Sequence, residues 1–185
     1  MVVAEEECMS QMAAVAKVWT LEELHSLPDD GNKYELFVTP APTDPHETIA
    51  ARLSRVLDPY VAANGLGYVY RPRAVLRFDG SEVEPDLMVR GPNTAAGKEW
   101  EHAPPPSLVV EIASPTTARR DQTYKRDFYM EAKVAEYWLI DAGRRTLTVV
   151  RPNASDVVTS GSYSWQPAGT EAALEVDVQD VLDVE

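Results

Sequence analysis

Leu108-Val109-Val110-Glu111-Ile112-Ala113-Ser114-Pro115 is a nearly continuous apolar run of strand length, stopped by a serine and a proline. A run without alternation is expected of a strand buried on both faces at the centre of a sheet. The glutamate inside it is out of place, because an isolated buried carboxylate is costly unless paired or metal-bound. A second carboxylate lies upstream in Val83-Glu84-Pro85-Asp86-Leu87-Met88-Val89. Pro85 cannot donate to a ladder, so it marks an edge or an interruption that can turn Asp86 out of the pleat. Downstream, a helix is expected from about Arg119, and on it Asp121, Lys125 and Tyr129 share a face at i, i+4 and i+8. Two carboxylates near strand ends and a lysine on the next helix are the minimum set for metal-dependent phosphodiester hydrolysis. Magnesium keeps several waters and takes one or two protein carboxylates, and the cation neutralises charge developing on the phosphate.

The ordered set is longer than these three elements. It comprises Tyr34-Glu35-Leu36, Pro40-Ala41-Pro42 followed by His46, Pro85-Asp86, Val110-Glu111-Ile112-Ala113-Ser114-Pro115, Asp121, Lys125, Tyr129, and Glu136-Tyr137-Trp138-Leu139-Ile140-Asp141. In this order it resembles the PD-(D/E)XK nuclease superfamily, in particular the Uma-type group of restriction-endonuclease-related proteins, from Trp19 to about Arg151. The resemblance implies an α/β fold of the restriction-endonuclease-like kind, a mixed central sheet flanked by helices. It implies a Mg2+- or Mn2+-dependent endonuclease acting on DNA, with RNA as the variant substrate, and a homodimer that addresses two strands. Asp86, Glu111, Lys125 and His46 are then the catalytic set, and Asp86, Glu111 and Ile112 the metal set. Glu35, Ser114, Asp121 and Tyr129 are accessory, and Arg119, Arg120 and Arg126 are the candidates for contacting the nucleic-acid backbone. The chain departs from the pattern in two places. The superfamily lysine usually lies two residues after the glutamate, where this chain has Ala113, and Lys125 matches the lysine that the Uma-type group carries on the next helix. After Leu36 an isoleucine-aspartate-glycine-glutamate turn is expected, yet the chain runs straight into Phe37-Val38-Thr39-Pro40.

Length and composition agree with one domain. At 185 residues, 44% hydrophobic and 25% charged, the chain supports a single core, expected over residues 18–185 behind a flexible tail at 1–17. No apolar run approaches the roughly 20 residues needed to cross a bilayer. Glu5-Glu6-Glu7 stands where a signal peptide needs basic residues, so a cytoplasmic protein without membrane contact is the expectation. One cysteine, Cys8, and three histidines exclude a disulfide within the chain and a Cys/His zinc cage. The net charge of −13 opposes tight binding of nucleic acid, but it is unevenly distributed. Residues 1–51 with 152–185 hold 17 acidic and 2 basic residues, whereas 52–151 hold 13 acidic and 15 basic.

Periodicity supplies the remaining elements. Thr20 to Leu27 reads as a short capped helix and Lys33 to Thr39 as a strand. Asp44-Pro45-His46-Glu47 reads as a helix start with Asp44 as N-cap, followed by Ile49, Leu53, Val56, Leu57 and Tyr60 at helical spacing and by Gly65 just past the end. His46 would then sit in the first turn, where free N–H groups favour anions. Leu66 to Arg71, Ala74 to Phe78 and Val83 to Val89 read as a three-stranded meander, with Asp86 in its third strand. Arg90 to Pro106 is a long loop whose Trp100 and His102 either meet substrate or sit on an exposed lid. Strands are expected at Val134–Asp141, Leu147–Arg151, Val157–Thr159, Tyr163–Gln166 and Ala173–Val176, then a helical turn at Val178–Leu182. The competing functional reading is a nuclease-like fold without catalysis that binds nucleic acid or protein. It draws on the acidic charge, on Ala113 and on the shortened segment after Leu36.

Overall fold

The computed structural model describes residues 43–183, apart from 80, 94–98 and 114–117. The expected tail, the helix at 20–27 and the strand carrying Tyr34 and Glu35 lie outside the described residues, as does Ser114.

Helix α1, Asp44–Ala63, buries Ile49, Leu53, Leu57 and Val61 at intervals of four, each no more than 1% exposed. It begins one residue earlier than the Asp44 cap implied: Thr43 is the N-cap and Asp44 already lies in the first turn. At its other end Gly65 takes the left-handed φ of 63°, and Leu66 N–H donates to the Val61 carbonyl at 3.1 Å. That closes the helix in a Schellman turn and folds Leu66 back onto the core.

Strands follow at β1 Tyr68–Tyr70, β2 Leu76–Phe78, β3 Ser81–Val83, β4 Leu87–Arg90 and β5 Leu108–Ala113, with a 3-10 turn at Trp100–His102 between the last two. Helix α2, Ala118–Glu131, leads to β6 Tyr137–Asp141 and β7 Thr146–Val150, then β8 Val157–Thr159, β9 Ser162–Trp165, β10 Leu174–Asp177 and the short α3 Val178–Leu182. The main sheet runs β1-β4-β5-β6-β7-β8. Only β5 and β6 within it are parallel, joined by the α2 crossover, so the sheet is mixed. The fold is thus α/β with a mixed central sheet, as the resemblance implied, and the apolar run at Leu108 is a central strand of it.

The sheet separates two apolar layers. Alternate residues Val110, Ile112, Trp138, Ile140, Leu147 and Val149 meet α1, and Val109, Tyr137, Leu139 and Val150 meet Phe128, Tyr129 and Ala132 of α2. β5 is buried on both faces, which accounts for its unbroken apolar run.

The meander is corrected. β1 pairs with β4, not with β2, and β2 with β3 forms a separate hairpin. Burial explains the difference: every residue of β4 is buried, so it has to lie inside the sheet, between β1 and β5. The run from Val83 to Val89 is broken at Glu84-Pro85-Asp86, the interruption that Pro85 required.

Trp100 is not an exposed lid residue. It packs edge-on to Tyr70 at 5.7 Å, and both rings lie against the guanidinium of Arg90, 4.7 Å and 5.4 Å from its Cζ. Arg90 is 1% exposed, and its three side-chain nitrogens have no hydrogen-bond partner among the described residues. Desolvating an unpaired cation costs several kcal/mol, and the two rings return only about 2 kcal/mol each at best. Arg90→Met is therefore expected to stabilise the fold by about 1 kcal/mol, a rise of a few degrees in Tm. A fall in Tm by calorimetry would contradict this account of Arg90.

Candidate active site

The antiparallel register between β4 and β5 pairs Leu87 with Val110. One further step along it sets Asp86 opposite Glu111, at the point where β4 has not yet entered the ladder. The Ile112 N–H donates to Asp86 Oδ2 at 2.7 Å, so the side chain of Asp86 takes a hydrogen bond that a sheet partner would otherwise supply. Pro85 thereby fixes one carboxylate beside the other. The apolar side chain of Ile112 packs in the α1 layer, so only its main chain can serve the site.

Glu111 is buried on the α2 face of the sheet, where two side chains of that helix meet it. Lys125 Nζ lies 2.7 Å from Oε2, and the Tyr129 hydroxyl donates to Oε1. The i, i+4 spacing read from sequence therefore delivers both groups to one carboxylate. Burial pushes the Glu111 carboxyl up to about 7; Lys125 opposes that rise and Asp86 adds to it. Tyr129 is raised well above the ordinary phenol range, by burial and then by Glu111, and so remains a neutral O–H donor.

His46 closes the other side. It lies in the first turn of α1 with Nε2 3.2 Å from Asp86 Oδ2 and Nδ1 3.5 Å from Glu47 Oε1. Its pKa is raised, chiefly by the hydrogen bond to Asp86, against the lowering effect of burial. Asp86 thus favours the imidazolium form of His46, which stands in the first turn of α1.

His46, Asp86, Glu111, Ile112, Lys125 and Tyr129 are thus gathered at the start of β4, the end of β5 and one face of α2. Asp121, Arg119 and Arg120 belong to the first turn of α2, and their side chains lie outside the described residues. Arg126 holds Asp156 rather than Glu111, through both terminal guanidinium nitrogens, with Nη2 2.8 Å from Oδ1. Glu35 and Ser114 are outside the described residues. Asp156 is not legible in sequence as a partner of Arg126, because the pair joins a helix to a distant hairpin loop.

The donor set suits a hard divalent ion. The two carboxylates in adjacent register are the groups that could hold one; burial raises the Glu111 carboxyl, Lys125 opposes the rise and Asp86 adds to it. Among the described residues no group of three His, Cys, Asp or Glu side chains gathers to hold a metal ion.

A mixed sheet with a lysine and two carboxylates at the β4–β5 junction defines a nuclease-like α/β protein. The chain belongs to the Uma2 family, described as "putative restriction endonuclease", whose model matches residues 21–183. It is similar in fold to a crystal structure of a "putative nuclease belonging to DUF820" from Anabaena variabilis, with a TM-score of 0.67 at 20% identity over 89% of this chain and 97% of that one. None of the curated proteins matches it. No helix among the described residues is long and apolar enough to cross a membrane.

Proposed function

We propose that this protein is a metal-dependent endonuclease that hydrolyses phosphodiester bonds of DNA, or of RNA, without a covalent intermediate. The observation that carries the reading is the buried Glu111, held by Lys125 and Tyr129 and set in register with Asp86. Asp86 and Glu111, with the main chain of Ile112, would hold Mg2+ or Mn2+. When bound, that ion supplies charge neutralisation at the phosphate and acidifies a water for attack.

The protein's own groups account for the rest. The Tyr129 hydroxyl fixes the orientation of the Glu111 carboxylate. Lys125 opposes the rise that burial imposes on that carboxyl and carries a positive charge to the place where the phosphate's negative charge grows. His46, whose protonated form Asp86 favours, is placed to bind a phosphate oxygen or to give a proton to the leaving oxygen. Arg119, Arg120 and Arg126 are proposed to contact the backbone. A homodimer, a cytoplasmic location and a single domain over residues 18–185 complete the proposal.

One observation favours the binding-module reading: Lys125 is already paired with Glu111 at 2.7 Å, so a cation entering there has to share that carboxylate. Nicking of supercoiled plasmid and of single-stranded DNA separates the two, with cleavage expected under Mg2+ or Mn2+ and none in EDTA. A second readout needs no activity. Metal ions bind the ionised carboxylate, so millimolar Mg2+ is expected to raise Tm more at pH 8 than at pH 6. Neither cleavage nor a metal-dependent Tm shift would leave the binding module standing.

A further inference from the structure

The sheet face that carries Glu111 continues well beyond helix α2. Register places Glu111 beside Leu139, Leu139 beside Thr148, and Thr148 beside Val158, one row across β5, β6, β7 and β8. Adjacent strands lie about 4.8 Å apart, so Thr148 stands about 10 Å and Val158 about 14 Å from Glu111 along that row. Helix α2 covers the beginning of the row. Beyond it lies an open groove of about 280 Å³ whose lining includes Leu139, Thr146, Thr148, Val158 and the Arg126–Asp156 pair, and Val158 is 63% exposed.

We infer that this groove is the track for a single strand of nucleic acid flanking the scissile phosphate, with Arg126 as its phosphate contact. The inference deepens the nuclease reading and rests on it. Three observations favour nucleic acid over another occupant. The groove lies on the same sheet face as Glu111, two strands away from it at Thr148, so a strand lying in it passes within a few nucleotides of the carboxylates. Its walls carry two guanidiniums, Arg126 and Arg144, each turned to a carboxylate: Asp156, and Asp141 at 2.9 Å. A phosphate presents the same two-oxygen edge to an arginine fork and can take the carboxylate's place. Its floor joins the apolar Leu139 and Val158 to the hydroxyls of Thr146 and Thr148, a surface for an unstacked base with polar groups at its margin.

The Arg126–Asp156 pair fits the role of a displaceable strap. Both of its side chains are about a third exposed, and such a pair contributes no more than about 1 kcal/mol. Exchanging Asp156 for a phosphate therefore meets little resistance. A second groove, of about 440 Å³, shares Arg126 and Val150 with the first.

Neighbouring positions on β8 provide the test. Val158 lines the groove, while Val157, also exposed, points to the opposite face by the strand's alternation. Binding of a fluorescein-labelled single-stranded oligonucleotide is followed by anisotropy in EDTA, and cleavage kinetics in Mg2+. Val158→Asp and Arg126→Gln are expected to raise Kd, and KM in cleavage, by about tenfold with kcat little changed; Val157→Asp should change Kd less than about twofold. Wild-type binding by Val158→Asp overturns the groove and leaves the nuclease reading intact. Binding by the wild type without any cleavage, weakened by Val158→Asp, keeps the groove and rejects the nuclease reading. An oligonucleotide bound by no form of the protein rejects the groove. A wild-type dimer that Val158→Asp converts to monomer, with binding unchanged, assigns this face to a second copy and also overturns the inference.

Discussion

Glu111→Ala is expected to abolish metal-dependent cleavage, by about a thousandfold or more in kcat, without loss of the fold. The magnitude follows from what the side chain does. It is one of the two carboxylates proposed to hold the cation, and removal of one group that stabilises developing charge already costs about 10²–10³ in rate. Loss of the cation itself compounds that. The fold survives because the alanine leaves a small space on the α2 face while Lys125 retains some access to solvent. The control is Tm in EDTA and in Mg2+: the metal-dependent rise seen with the wild type should vanish in the variant. Cleavage at the wild-type rate by Glu111→Ala would place the catalytic centre elsewhere.

Lys125→Met should act on stability and on rate together, and its effect on stability should depend on pH. The Glu111 carboxyl titrates at about 7 in the fold, above its ordinary value of 4.5. A carboxyl raised on folding contributes stability that is present below the unfolded pKa and lost as pH rises through the folded one. Between about pH 4.5 and pH 7 the native state therefore holds a proton that the unfolded chain has released, and stability falls across that window. At pH 5 Glu111 is neutral and needs no counter-ion, so removing Lys125 costs little. At pH 8 the wild type carries a buried carboxylate opposed by Lys125, and its removal leaves that charge uncompensated. Glu111 can escape by taking up a proton, and with a carboxyl at about 7 that costs about 1.4 kcal/mol at pH 8, so the expected loss beyond that at pH 5 is about 1 kcal/mol. Urea unfolding at pH 5 and pH 8 measures the difference, which should grow with pH. His46 contributes with the same sign, since its raised pKa also favours the protonated native state, so the slope is read as variant against wild type. A pH-independent difference would show that Lys125 does not balance Glu111. Cleavage should fall about 10²-fold in the same variant, from loss of the positive charge near the phosphate.

Much of the site is legible in local sequence patterns. The unbroken apolar run at Leu108 required a strand buried on both faces, and a glutamate within it required a partner. The i, i+4 spacing of Lys125 and Tyr129 put both on one side of a helix, and Pro85 broke the strand before Asp86. These readings rest on local rules: helical and strand periodicity, the missing N–H of proline, the cost of a buried charge. Which strand lies beside which was decided only by the tertiary structure. Leu66 to Arg71 and Val83 to Val89 look alike in sequence, and only the need to bury β4 on both faces made them neighbours while β2 and β3 formed a hairpin apart. The alternation Thr146-Leu147-Thr148-Val149 announced two faces but not that the threonine face continues the row of Glu111. The destination of Arg126 was equally illegible, because Asp156 lies 30 residues away on a hairpin loop. Arg90 reads in sequence as the start of a long loop, yet it ends β4, and the packing of Tyr70 and Trp100 around it makes it a buried cation. Local propensity fixes what an element is, whereas pairing and burial depend on contacts between residues far apart in the chain, and those contacts assembled the site.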